Sequence, residues 1–555
     1  MSRKKPRSDK AKEAKAGKAG ERLEVLLLFA LALVLRVVGI SWGLPGPTHA
    51  FSYHPDEVHV LLPALGMLRG DWNPHFFNYG TLYLYLVGIV SWAFALIGLS
   101  PANAPDFAPL YLIGRTISAV LGAGTVVLVY LICRELGGRR LALWGSGLLA
   151  IAPLPLVNSH FATVDVAATF FLVLGAYGCV KVISDGRERW YLLSGAAMGF
   201  AAATKYNFGA GILLLVAAHL LRRRRAAQQE LELGLLWGLL AFPLFFLIGC
   251  PYTLSLEGGL HLREQFLQGL LFETRHMQEV RTPAFVGSGS GWAYHALRGF
   301  PAALGIPLYA LALAGIVWFL ISFRRREPIL RKGLFLLAGW LVFFFLITGF
   351  ATERFIRYLV PLVPFLCIFA AWLVDEGLSL TSRLRVPALV GMAAATLLTL
   401  VYSLAQLLLF LAPDPRDRAY AALAELRPKS VGVQEVPWFR TPPVSPYNAG
   451  IFSLSDFLKW QETAPYRVIV TGWQKRVLLR EKPEVFTISD LQYADFLRLH
   501  DERARDFMTA LKNSYRERRV FRNAIPLEWV GGGQRRSPPD WLYLKPVVSL
   551  YFDWK

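Results

Sequence analysis

Lysine and arginine in this chain gather in alternating short loops between long apolar stretches, and that pattern limits what it can fold into more than any other feature. The clusters lie in residues 1 to 22, at Arg134, Arg139 and Arg140, at Lys181, Arg187 and Arg189, at 222 to 225, at 324 to 326 with Arg331 and Lys332, and at Arg383 and Arg385. Positive loops remain on the cytoplasmic side of a membrane. The opposite ends of the intervening segments then face outward, and there the chain carries Asp56, Glu57, Asp165, Lys205, Glu353, Arg354 and Arg357. One face of the membrane thus collects the acids and bases that a reaction needs.

Composition agrees with a polytopic membrane protein. Of 555 residues, 54% are hydrophobic, and the mean hydropathy of +0.40 is too high for an ordinary soluble chain. The formal net charge of +20 has its explanation in topology, since nine basic residues fall in the first 22 and most others line the loops above. Membrane lipid headgroups are therefore the expected partners of this charge, and nucleic acid is not. The run from Leu23 to Trp42 is too long for the core of a cleavable signal and reads as a signal anchor. Cys133, Cys179, Cys250 and Cys367 lack metal-ligand spacing and read as small buried hydrophobes without a disulfide.

The spans follow from the charge rule. Residues 81 to 99 form the ambiguous stretch, because a full crossing there would put Arg134, Arg139 and Arg140 outside. Placed at the outer interface, where Tyr83, Tyr85 and Trp92 are at home, it leaves about eleven crossings with the N-terminus in and the C-terminus out. The expected fold is an all-α polytopic membrane protein with a small C-terminal α/β domain. Its parts are a basic cytoplasmic tail (1–22), a membrane catalytic domain (23–411) with an outer loop at 43–109, and an extracytoplasmic soluble domain (412–555). In that last part Arg467–Val470 and Val547–Tyr551 read as strands and Asp501–Tyr515 as a helix. Trp438, Trp460, Trp473 and Trp541 are expected to pack rather than bind.

The chemistry centres on Tyr53-His54-Pro55-Asp56-Glu57, about ten residues past the first span. Asp56 is the expected catalytic base, with Glu57 beside it. The plainer reading is a helix start, with Pro55 in the first turn and two acids favouring its dipole. Asp165 lies just inside the outer end of an apolar span, where a lone carboxylate is expensive. Lys205 occupies an outer turn, and Arg354 and Arg357 open another span. Each has a plainer role as well, since Lys205 and Arg354 can snorkel to headgroups and Asp165 can pair with a neighbour. Carboxylates facing cations at the outer surface suit a sugar carried on a polyprenyl phosphate. Arginine and lysine would hold the phosphate, and one base would take the proton of the attacking hydroxyl, inverting the anomeric carbon. A transporter or flippase of an anionic or lipid-linked substrate is the alternative, although its charges belong near the bilayer midplane.

The acidic pair, the segment from Asn78 to Leu86, the run from Arg115 to Pro153, Asp165, and Arg357-Tyr358-Leu359-Val360-Pro361 resemble the polytopic C-type (GT-C) glycosyltransferases, the group of the protein O-mannosyltransferases and the lipid A aminoarabinose transferase. The resemblance covers residues 20 to 411. It implies Asp56 as the base, Asp165 as a second outer-face aspartate, a polyprenyl-phosphate-linked sugar as donor and an acceptor that stays unidentified. It leaves a divalent metal ion open, and no histidine pair in the chain has zinc spacing. Where the aminoarabinose transferases carry Lys-Pro, this chain has Tyr79-Gly80, so the phosphate contact is expected from Lys205, Arg354 or Arg357, with Tyr79 and His54 near the substrate. The implied location is a bacterial plasma membrane.

Overall fold

The computed structural model describes residues 7–99, 107–222, 228–255, 257, 259–279, 282–381, 383, 385–446, 454–533 and 538–555. Among the described residues, six helices are long and apolar enough to cross a membrane: Ala108–Gly137, Val164–Ser184, Ile306–Arg325, Pro328–Phe350, Ile356–Leu378 and Arg385–Leu426. Leu82–Leu96, Tyr206–Arg222 and Leu233–Gly249 are apolar but shorter, at 10–17 residues. A helix of 15 residues rises only about 22 Å, below the roughly 30 Å of a bilayer core. The ambiguous stretch thus forms a helix, Leu82–Leu96, that is short for a crossing.

Sequence chemistry sets where these helices stop. Ala108–Ala150 is two helices joined at Gly138, whose φ of 86° only glycine adopts readily. That break falls within the Arg134–Arg140 loop. The helices Glu188–Thr204 and Gln228–Gly249 touch backbone to backbone, since a Cβ on Gly195 would stand 1.9 Å from the Gly238 carbonyl oxygen. Small residues permit that approach where lipid supplies no hydrophobic drive. On the outside of the bundle, Val317, Leu320 and Ile321 remain exposed on an apolar helix, as expected of a lipid-facing surface. All four cysteines are buried and unpaired.

After Arg385–Leu411 the chain builds a five-stranded mixed sheet in the order β4-β3-β5-β7-β6. The strands are β3 (Ser430–Val433), β4 (Arg467–Val470), β5 (Val485–Ser489), β6 (Tyr515–Phe521) and β7 (Val548–Trp554). They are preceded in the membrane part by a two-residue ribbon, β1 (Leu254–Ser255) and β2 (His261–Leu262). β3 pairs in parallel with β4 and β5, whereas β7 runs antiparallel to both β5 and β6. Alternation along β5 explains how both faces are covered. Val485 joins Val431, Val468 and Leu550 on one side, and Phe486 and Ile488 join Phe507 and Leu511 on the other. Strand β4 and helix Glu502–Ser514 coincide with the sequence reading, and β7 runs from Val548 to Trp554, three residues beyond it. Each of the four tryptophans packs against another aromatic ring, Trp473 on Phe507 at 5.7 Å and Trp541 on Tyr402 at 6.5 Å among them. Trp541 and Leu544 belong to the same buried cluster as the membrane helices.

One buried ion pair holds the loop that follows the first helix. The Arg115 guanidinium grips Glu57 with Nε–Oε1 at 2.8 Å and Nη2–Oε2 at 2.7 Å. Its other N–H groups reach the carbonyls of Ile40 and Trp42, both at 2.7 Å, and Ser52 Oγ at 3.1 Å. Glu57 also accepts the Ala162 N–H at 2.7 Å and the Ser52 hydroxyl. Burial pushes the Glu57 carboxyl up, but the Arg115 charge outweighs it and holds the group below the usual carboxylate range.

Two outcomes follow from this architecture. Removing one partner of a buried pair strands the other charge, so Arg115→Leu or Glu57→Gln should cost about 3–5 kcal/mol of stability. Thermal unfolding in detergent, with Arg115→Met/Glu57→Leu recovering part of the loss, checks this. The charge pattern also predicts that cysteines placed at Glu188 and Glu327 resist impermeant thiol reagents in intact cells, while those at Arg69 and His500 react. Labelling at Glu188 from outside would invert the assigned orientation.

Candidate active site

The first outer loop delivers its acids through a short helical start. His54 caps the 3-10 turn Pro55–Glu57 by accepting the Asp56 N–H at Nδ1, and Pro55 presets the backbone. Burial pushes the His54 imidazole down to about 3, so it is neutral and able to accept. Successive residues of this turn diverge. Glu57 turns inward to Arg115, whereas Asp56 faces a cavity of about 520 Å³.

That cavity brings together Asp56, Tyr79, Asp165, Lys205 and Arg357. Asp165 sits in the first turn of Val164–Ser184, where its charge also suits the helix dipole. Lys205 interrupts the helices on either side, and its ammonium meets Asp165 Oδ1 at 2.7 Å and lies 5.0 Å from the Tyr358 ring centre. Arg357, in the 3-10 turn Ile356–Leu362, pairs with Asp56 from across the cavity. The site therefore holds two carboxylate–cation pairs side by side, neither of them sealed from the cavity.

Three expected residues lie elsewhere. Glu57 does not face the cavity, because its carboxylate is fully committed to Arg115, Ser52 and Ala162. His54 is buried against Phe161 and Tyr543, with ring centres at 4.2 and 5.7 Å, and supports Asp56 from behind. Arg354 points away to the Ser288 hydroxyl, from the irregular backbone that precedes the 3-10 turn carrying Arg357. Tyr79 lines the cavity, and its carbonyl accepts the Tyr206 hydroxyl at 2.8 Å. Its neighbour Gly80 has no room for a side chain, since a Cβ there would lie 2.1 Å from the Ala203 carbonyl oxygen.

Sequence reasoning missed Arg115 and Glu273. Arg115 stands alone in an apolar helix, the type of residue that signals a buried partner. Glu273 lies near the end of the amphipathic helix Glu264–His276 and lines the cavity opposite Tyr79. No run of residues linked it to the others. Among the described residues, no three His, Cys, Asp or Glu side chains gather closely enough to hold a metal ion.

Residues 90–260 match the family model described as dolichyl-phosphate-mannose-protein mannosyltransferase. The matched segment contains Arg115, Asp165 and Lys205, and stops short of Asp56 and Arg357 on either side. No curated relative matches the sequence. Among solved structures, an Archaeoglobus fulgidus oligosaccharyltransferase tethered to an acceptor peptide aligns with 91% of this chain and 75% of its own length, at 15% identity and a TM-score of 0.52. ArnT from Cupriavidus metallidurans, bound to undecaprenyl phosphate, covers 95% of this chain and 97% of its own, at 16% identity and a TM-score of 0.48. At such identities the oligosaccharyltransferase likeness speaks for the fold alone. Over residues 90–260 the chain is similar to the mannosyltransferases of that model, and over most of its length it shares the fold of the oligosaccharyltransferase.

Proposed function

We propose that the protein moves a sugar from a polyprenyl-phosphate donor to an acceptor hydroxyl, with inversion, at the extracytoplasmic face of a bacterial plasma membrane. The observation that carries the reading is the pairing of Asp56 with Arg357 beside that of Asp165 with Lys205 in one cavity. Relatives in fold support the donor class: the ArnT structure contains undecaprenyl phosphate, and another of an Archaeoglobus fulgidus oligosaccharyltransferase contains a dolichol-phosphate.

The arrangement suggests an order of events. Arg357 pairs with the carboxylate that is to act as base. The donor is a phosphodiester with a single negative charge shared by two free oxygens; it competes for Arg357 and Lys205 through charge-assisted hydrogen bonds and gains further charge as the sugar leaves. Drawing Arg357 toward phosphate leaves an Asp56 oxygen free to accept the proton of the incoming hydroxyl. The same two cations then stabilise the phosphate as the anomeric bond breaks, and a phosphate leaves without needing an acid. Asp165, released in turn from Lys205, orients the acceptor. A transporter is disfavoured, because these charges lie at the outer ends of their helices rather than mid-span.

Asp56→Asn keeps the shape of the side chain and removes the base, so donor binding should persist while transfer falls by two to four orders of magnitude, on the order of 10²–10⁴. Sugar transfer in nanodiscs, with binding measured in parallel, decides it; near-normal transfer removes the base. Arg357→Ala should weaken donor affinity roughly ten- to a hundredfold, the cost of a charge-assisted hydrogen bond, and leave the acceptor KM in place.

A further inference from the structure

The turn that carries Arg357 is not capped by its own neighbourhood. Ile356–Leu362 is preceded by Phe355, which has no side-chain acceptor for the N–H groups that open a helical turn. The acceptor comes instead from 183 residues downstream, where Asp540 Oδ2 takes the Arg357 N–H at 3.1 Å. The same carboxylate also accepts the backbone N–H of Ile356. Asp540 thus performs from the soluble part of the chain the task that an N-cap aspartate performs from the residue before a helix.

The segment that presents Asp540 is firmly held. Within the 3-10 turn Pro539–Leu544, Trp541 and Leu544 are buried among the membrane helices. The Tyr543 carbonyl accepts from Arg416 at 2.9 Å, and the Tyr543 ring meets His54 edge-on. One short turn of the soluble part therefore touches both sides of the Asp56–Arg357 pair, through His54 on one and the Arg357 backbone on the other. Asp540 Oδ1 is sealed from solvent without a hydrogen-bond partner, and burial pushes the carboxyl up to about 6 against the pull of Arg357. A half-satisfied buried carboxylate costs stability. Its placement against the Arg357 backbone points to a task beyond holding the fold.

We propose that Asp540 is a positioning residue for Arg357, so that the soluble part of the chain sets the aim of the guanidinium and with it the affinity for the donor phosphate. The inference rests on Arg357 as a phosphate contact, the reading given above.

The test is binding of undecaprenyl phosphate to the full-length protein in nanodiscs. Asp540→Ala should weaken binding roughly tenfold in protein that remains folded at the temperature of the assay. Asp540→Asn, whose amide oxygen can accept the same N–H groups, should restore most of the affinity. In an Arg357→Ala background Asp540→Ala should have no further effect, because its influence passes through that arginine. Should the alanine protein not fold, Asp540→Leu, similar in size and without acceptors, is read in the same cycle. Unchanged binding by the variant without acceptors, or an equal loss with and without Arg357, overturns the proposal. An unmodified protein that binds no polyprenyl phosphate overturns the donor reading itself, and this inference with it.

Discussion

Everything around the cavity depends on the Glu57–Arg115 pair. A guanidinium has five N–H donors, and here all five are used, on Glu57, Ser52, Ile40 and Trp42. They join the end of the first helix, the outer loop and the helix that begins at Ala108, while Glu57 adds the turn before Asp165 through Ala162. Both catalytic candidates, Asp56 and Asp165, are thereby fixed relative to one buried group. A pair without that saturation would repay little of its desolvation.

The cavity is organised on the opposite principle. Its ion pairs are one-to-one, open to solvent on one side and made by residues from distant parts of the chain: Asp56 with Arg357, and Asp165 with Lys205. Rigid charge neutralisation behind the loop and exchangeable neutralisation in front of it serve different ends. The first keeps geometry constant, and the second gives an incoming phosphate something to displace.

Much of this was legible in the sequence, for identifiable reasons. Charged residues at the ends of apolar spans are costly, so Asp56, Asp165, Lys205 and Arg357 stood out, and the structure gathers all four. The β-branched run in Arg467–Val470 and the amphipathic period of Glu502–Ser514 were equally visible. What stayed hidden was direction. Adjacent residues on a 3-10 turn point apart, so nothing in the text of the sequence distinguishes Asp56 from Glu57; nor does it show that Arg357 lies within a turn and Arg354 in the irregular backbone before it. The partners of Glu57 and Arg357 lie 58 and 183 residues away, and no local pattern reports a contact at that separation. Helix ends such as Lys205 were clear because the apolar run stops there, while the short helix Leu82–Leu96 has too few residues for hydropathy to assign its depth.

The absence of a side chain at Gly80 has a consequence for how such a site diversifies. Its backbone lies against the Ala203 carbonyl, two residues before Lys205. Any substitution that restores a side chain at position 80 must first push that turn outward, taking the lysine with it and away from Asp165. The loop that faces the cavity at Tyr79 and the turn that supplies its cation are mechanically one unit. Changes of substrate preference along this edge therefore arrive as coupled replacements, and a descendant that altered one side alone would pass through a form with its charges out of register.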